Sequence, residues 1–397
     1  MKRSTDRILT THVGSLRRPD DLMELVTLRD NERPYDEASF HQRLRSAVAE
    51  TVEQQVDAGI DVVNDGEFSK SSWAAYFRTR MNGIEAREVA GRPGQRGMRE
   101  EQRFPEWFEL ARKAGGVAYS RLLQVDERPN PNPYQRGNFC VGPLSYSGHE
   151  AVQEDIANLK QAAQGKNVAD LCLSALSPAM IANFLTNDYY KTDEDYLYAI
   201  ADAMSAEYRA IAESGIILQL DAPDLVDRWQ TMRDATLEEY RKDLELRVDV
   251  INHALKGVDP AQVRVHTCWI STHFPHSEDL PLKETIDIIL KLNVQGFSIE
   301  ASNPRHEHEW QVFEDVKLPD GAVLIPGVIG HYSDYIEHPE LVAQRLIRYA
   351  NVVGRENVIA GVDCGMGNRV GHPSIGWAKF EAMAEGARIA SQKLWAR

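Results

Sequence analysis

Cysteine is scarce in this chain. Four cysteines in 397 residues are too few for a disulfide framework, so their positions matter more than their number. Long apolar runs are also lacking. None approaches the roughly 20 residues of a membrane span, and Met1-Lys2-Arg3-Ser4-Thr5-Asp6 has no apolar stretch of the signal-peptide kind. A cytoplasmic chain without a membrane partner is the expectation. Positive charge is in the minority: 45 Lys and Arg face 60 Asp and Glu, a formal charge of -15. Such a surface repels phosphate backbones and argues against a nucleic-acid partner. It gives no general attraction for anionic small molecules either. Neither a G-x-G-x-x-G after a first strand nor a G-x-x-x-x-G-K-[ST] occurs, so a nucleotide-binding doubly wound sheet has no support.

What the chain does have is a rhythm. Short β-branched or apolar runs alternate with amphipathic stretches. The runs are Ile8–Val13, Asp61–Asn64, Asn138–Val141, Leu171–Ala175, Ile216–Leu220, Val263–Cys268, Phe297–Glu300, Val323–Val328 and Val358–Val362. Between them, Asp195–Ala212 and Pro339–Val353 carry apolar residues at helical spacing. Repeated strand–helix alternation predicts parallel strands with right-handed crossovers. The fold expected is an α/β protein of the (β/α)8 TIM-barrel type, residues 1–397 forming one unit. A stretch at about 85–135 breaks the rhythm. It carries Arg87, Arg92, Arg96, Arg99, Arg103, Arg112 and the cluster Pro129-Asn130-Pro131-Asn132-Pro133, and reads as a rim or lid insertion.

Polar residues gather where these strands end: His12 and Ser15, Asp65-Gly66-Glu67, Gly142-Pro143, Asp221, His266 and Cys268, Glu300, and Asp363-Cys364. In a barrel those ends converge on one mouth. His266 and Cys268 stand at i and i+2, so on a strand they share a face. With Glu300 and Cys364 they make one imidazole, two thiolates and one carboxylate, a donor set that favours tetrahedral zinc. A lone H-x-C reads more simply as a satisfied histidine and a buried small hydrophobe. Four ligands of three types at the ends of three strands favour a metal.

These same segments carry a resemblance. Thr10-Thr11-His12-Val13-Gly14-Ser15, Asn64-Asp65-Gly66-Glu67-Phe68, Leu218-Gln219-Leu220-Asp221, His266-Thr267-Cys268, Ser298-Ile299-Glu300 and Val362-Asp363-Cys364-Gly365 resemble, in order, landmarks of the catalytic half of cobalamin-independent methionine synthase. The likeness is to the short, single-barrel branch of that superfamily, which includes epoxyalkane:coenzyme M transferases. Ala301-Ser302-Asn303-Pro304-Arg305-His306-Glu307-His308-Glu309-Trp310 looks like a signature of that branch. The resemblance implies Zn2+ on His266, Cys268, Glu300 and Cys364, with Ser15, Glu67 and Asp221 holding the amino-acid end of homocysteine. It implies methyl transfer to the homocysteine thiol from a methylated folate or another small methyl carrier. A related thiol alkyltransferase, opening an epoxide with another thiol, is the alternative. A third reading, from another class, is a barrel that only binds a metal or a porphyrin-like ligand.

The chain departs from the family in places. It has room for one barrel where the long enzymes have two, which bears on the folate donor. The long enzymes carry Asp-x-His where this chain reads Ile329-Gly330-His331-Tyr332-Ser333, so His331 is a general-acid candidate in a shifted register. Gly142-Pro143-Leu144-Ser145-Tyr146 lacks their tryptophan. Leu171–Ala175 has no counterpart landmark and reads as an accessory strand. His306 and His308 could face one way on a strand, but Pro304 favours a loop or helix start, where they diverge; fixing the loop after Glu300 is the expected role. Trp73, Tyr76, Tyr189 and Tyr190 could line a ligand pocket or pack a core. Cys140 and Cys172 are expected in the core, and a homodimer is expected because single barrels often pair.

Overall fold

The computed structural model describes residues 1–88, 97–113, 136–269, 274–367 and 369–396. Arg92, Arg96 and the cluster Pro129–Pro133 lie outside them. The strands are β1 (Leu9–Thr10), β2 (Val62–Asn64), β3 (Met81–Glu88), β4 (Arg136–Tyr146), β5 (Asp170–Leu176), β6 (Leu185–Asn187), β7 (Ile217–Asp221), β8 (Val263–Thr267), β9 (Gly296–Ile299), β10 (Val323–Ile329) and β11 (Ile359–Val362). Eight are joined in the order β1-β11-β10-β9-β8-β7-β5-β2, all parallel. A parallel bridge between Thr11 and Val62 brings β1 beside β2 and closes the ring. This is the (β/α)8 barrel.

The strands are short and nearly all their residues are buried, because helices cover the outer face and side chains fill the interior. Inward positions alternate. Gln219 and Asp221 on β7, and Arg264 and His266 on β8, share faces at the i, i+2 spacing. Arg264 lies inside the barrel and donates to Gln219 Oε1, Thr11 Oγ1 and the His12 carbonyl, each at 2.8 Å. This polar floor sits one layer below the mouth.

The helices begin where their side chains cap them. Thr236 and Glu239 form a capping box at the start of Leu237–Ala254, and Thr192 caps Asp193–Glu213. The helix Pro339–Val353 has the bounds its apolar stripe predicts. Among the described residues, no helix is long and apolar enough to cross a membrane.

Two strands exchange the roles expected of them. Asn138–Val141 belongs to β4, which pairs antiparallel with β3 and parallel with β6 in a three-stranded sheet apart from the barrel. Leu171–Ala175, expected to be accessory, is the core of β5, between β2 and β7 in the barrel. Both runs are apolar and of strand length, and periodicity alone does not say which sheet a buried strand joins. The strands on either side of 89–135, β3 and β4, therefore pair with each other in the side sheet. The described part of that stretch holds two helices, Arg99–Arg103 and Pro105–Lys113.

Candidate active site

His266, Cys268 and Cys364 meet at the barrel mouth. One donor atom from each lies within 4.8 Å of the other two, and all three residues are buried. The two sulfurs are 3.8 Å apart, and both cysteines are free thiols. His266 Nδ1 is hydrogen-bonded to Ser298 Oγ at 3.1 Å, while its buried Nε2 has no hydrogen-bond partner. Native proteins rarely leave such an atom unmatched. Two thiolates bound tetrahedrally at the usual zinc–sulfur length of about 2.3 Å would stand about 3.8 Å apart. An imidazole tied at one nitrogen and open at the other is the common form of a histidine ligand. The residues present fit zinc.

Cys364 is pushed well below the ordinary thiol range, first by the Cys268 S–H that donates to it and then, against burial, by the Arg369 guanidinium. Cys268 is pushed well above that range by the same hydrogen bond and by burial. The pair therefore favours one thiolate beside one thiol.

Glu300 lies outside that three-atom group. Its Oε2 accepts the Trp269 N–H at 2.7 Å and its Oε1 accepts Asn303 Nδ2 at 2.5 Å. Burial and then the Asp363 charge push its carboxyl well above the ordinary range. The loops after β9 and β11 are pinned together by Asp363. Its Oδ1 accepts the N–H groups of Ala301 and Ser302 at 2.8 and 2.9 Å, and its Oδ2 accepts the Ser302 hydroxyl at 2.6 Å. Ser15 lies against the second loop, its carbonyl accepting the N–H groups of Met366 and Gly367 at 3.0 Å.

Glu67 and Asp221 form a second focus. Glu67 has φ of 60°, a left-handed conformation unusual for a side-chain-bearing residue. An Asx-type turn holds it there: Asn64 Oδ1 takes the Gly66 N–H and Asp65 Oδ1 takes the Glu67 N–H. Its Oε1 accepts Ser174 Oγ at 2.9 Å, and Asp221 Oδ1 accepts Gln219 Nε2 at 2.8 Å. Burial, then the Glu67 charge, pushes the Asp221 carboxyl well above the ordinary range. Two buried carboxylates that feel each other favour a cation, and the buried Lys70 ammonium, which donates to the Ser174 carbonyl, already acts on Asp221.

His331 is buried just past the end of β10. Arg369 Nη1 donates to its Nε2 at 2.8 Å, and its Nδ1 has no hydrogen-bond partner. Burial, then the Arg369 charge, pushes it down to about 3, so the ring is neutral at ordinary pH.

Other expected residues lie elsewhere. His12 turns to Gln55 at 2.8 Å and packs on Phe380. Tyr76 is buried with its hydroxyl on Glu207, whereas Tyr189 is exposed. Cys140 and Cys172 are buried in the core. The described arginines of the insertion are engaged: Arg87 with Asp188 and Glu85, Arg99 with three carbonyls, Arg103 with Glu278, Arg112 with Glu101. Sequence reasoning missed Ser174, Trp269, Asn303 and Arg369. Ser174 did leave a signal, a hydroxyl at an alternate position of an otherwise apolar run.

Fold and site together define a (β/α)8 barrel with an imidazole–thiolate cluster at its mouth. Residues 141–388 match the family described as "Cobalamin-independent synthase, Catalytic domain", and the chain belongs to that family. It is similar to the methionine synthase of Saccharolobus islandicus (strain L.S.2.15 / Lassen #1), with 24% identity over 389 residues, covering 97% of this chain and 95% of that protein. The methionine synthase of Thermococcus kodakarensis is 20% identical over 386 residues, covering 97% and 94%. Among solved structures, a B12-independent methionine synthase from Shewanella sp. W3-18-1, in complex with selenomethionine, superposes with a TM-score of 0.69. Its identity is 21%, with 98% of this chain and 100% of that one covered.

Proposed function

We propose that the chain transfers a methyl group to the thiol of homocysteine, giving methionine, with zinc held by His266, Cys268, Cys364 and Glu300. The observation that carries this reading is the pair of sulfurs 3.8 Å apart beside the unmatched Nε2 of His266. Bound there, zinc would lower the substrate thiol pKa enough to keep thiolate present at neutral pH. The names of the relatives supply the acceptor, since methionine synthases methylate homocysteine.

The chain's own residues do the rest. Glu67 and Asp221 take the ammonium group of homocysteine, and Ser174 and Gln219 aim their carboxylates. Ser15 holds the loop carrying Cys364 against that amino-acid end. His331, neutral and with its Nε2 taking a hydrogen bond from Arg369, carries its proton on Nδ1, where it would offer a hydrogen bond to the departing donor. The donor is a methylated folate or another small methyl carrier. The whole chain acts as one barrel, the stretch at about 85–135 being an insertion on its rim.

A second reading, an alkyl transfer from another electrophile to another thiol, is favoured by one observation. Arg369, held on His331 Nε2, carries a positive charge that acts on both cysteines, which suits an anionic thiol. Cobalt substitution separates the two. A thiolate-to-cobalt band that appears with homocysteine, and not with a sulfonate thiol, supports methionine synthesis. A spectrum unmoved by homocysteine overturns it.

A further inference from the structure

We propose that His306 is a positioning residue for the metal centre, and that through it the insertion helix carrying Glu100 braces the backbone around Cys268 and Glu300. The inference rests on the metal-site reading above.

His306 is buried, and its ring stacks on Trp269 with centroids 3.7 Å apart and planes 14° apart. Its Nδ1 faces Glu309 Oε2 at 3.0 Å and its Nε2 faces Asp279 Oδ2 at 3.2 Å. A ring with a carboxylate on each nitrogen donates from both, so it is an imidazolium laid over an indole. Trp269 directly follows Cys268. Its backbone N–H holds Glu300 Oε2, and its indole N–H is fixed on the Leu280 carbonyl at 3.0 Å. The other Glu300 oxygen is held by Asn303, whose Oδ1 accepts the His306 backbone N–H at 3.0 Å. Both oxygens of Glu300 are therefore gripped by groups that His306 touches.

The same ring is tied outward to the insertion. Asp279 also accepts from Gln230 Nε2 at 2.7 Å, and Gln230 Oε1 takes the Glu100 N–H at 3.2 Å. The buried carboxylate of Glu100 accepts the Ser277 N–H, the Ser277 hydroxyl and the Glu278 N–H at 2.9, 2.7 and 2.8 Å. Arg99 beside it lies 3.5 Å over the Trp229 ring, whose indole N–H holds the Glu278 carbonyl. A carboxylate taking three donors within one loop is a strong tether. The insertion is thus fastened to the residues that clasp His306.

The test uses the full chain, with zinc and cobalt(II) as probes. His306→Gln keeps a hydrogen-bonding group and removes the charge and the stacked ring. It is expected to weaken zinc binding several-fold, less than the roughly 10- to 100-fold cost of losing a group bonded directly to a ligand, and to shift the cobalt absorption bands. Glu100→Gln is expected to shift the same bands by less, and His308→Gln, an exposed neighbour, to leave them alone. A folded His306→Gln protein with parental zinc affinity and superimposable cobalt bands overturns the proposal. If that variant does not fold, Glu309→Gln is judged by the same two measurements. A parent that binds no zinc sinks the metal-site reading and this inference together. A parent that binds zinc and methylates homocysteine, with variants unchanged, sinks this inference alone.

Discussion

Cys268 and Cys364 stand 96 residues apart in the chain, yet their sulfurs lie 3.8 Å from each other. That spacing comes from two features that meet at the barrel mouth although β9 and β10 lie between their strands. One is the end of β8. The other is the loop after β11, which Asp363 and Ser15 fasten to its surroundings. If the pair binds zinc, removing either sulfur breaks the centre. Cys268→Ser or Cys364→Ser should abolish stoichiometric zinc, an effect larger than the 10- to 100-fold or so that outer-shell changes produce. Metal analysis of the purified variants checks this, and methyl transfer should fall with the metal.

The carboxylates at the second focus should separate binding from metal content. A charge-assisted hydrogen bond contributes roughly 1.5–3 kcal/mol, so Glu67→Gln or Asp221→Asn should lower kcat/KM for homocysteine by about 10- to 100-fold. Zinc content should stay parental, because neither residue is in the donor cluster. Ser174→Ala, which removes only the hydroxyl aiming Glu67, should have the same sign and a smaller size. Steady-state kinetics with metal analysis on each sample decides it. A Glu67→Gln enzyme with unchanged KM and kcat would remove Glu67 from the binding site.

Stability should carry the signature of His306. Burial pushes this ring down, but the hydrogen bonds to Asp279 and Glu309, with the charges of Glu309 and Glu300, overcome it and raise it to about 9. The ordinary value is about 6.5. A folded-state value above the unfolded one means the folded protein holds the proton more tightly. The stabilisation is therefore complete below about pH 6.5, fades as the pH rises through about 9, and is gone beyond it. Its full size is on the order of 3 kcal/mol. The difference in Tm between parent and His306→Gln should be large at pH 6 and small at pH 10. A difference that does not change with pH would show that the ring is not held as an imidazolium.

Much of this was legible in the sequence, and the gaps have physical causes. Eight of the nine apolar runs became barrel strands because strands buried on both faces read as mostly apolar runs, which is visible in one dimension. The run at 138–141 is just as apolar, but its partner β3 is set by long-range pairing. For the same reason β5, lacking a polar landmark, looked dispensable while it was supplying Ser174 to Glu67. The donors His266, Cys268 and Cys364 were legible by residue type. Trp269 and Asn303 were not, because a backbone N–H and a side-chain amide that orient a carboxylate have no residue-type signature.

Gly14 gives a steric test of the same focus. A Cβ there would fall 2.5 Å from Glu67 Oε1 and 2.6 Å from Ser174 Oγ, closer than a real Cβ contact allows. The bend after β1, where Gly14 has φ of 150°, thus passes so near Glu67 that only hydrogen fits between them. Gly14→Ala must push the Glu67 carboxylate off its Ser174 hydrogen bond, and the Asx turn holding residue 67 in its left-handed conformation limits how it can yield. The expected result resembles Glu67→Gln: homocysteine kcat/KM down by about 10-fold or more, with zinc content and the cobalt spectrum of the substrate-free protein preserved. The strain should also lower Tm by a few degrees, since overpacking a buried site costs roughly 1–3 kcal/mol. If Gly14→Ala bound homocysteine as the parent does, Glu67 would not be confined between Gly14 and Ser174, and the steric basis for its role would fall.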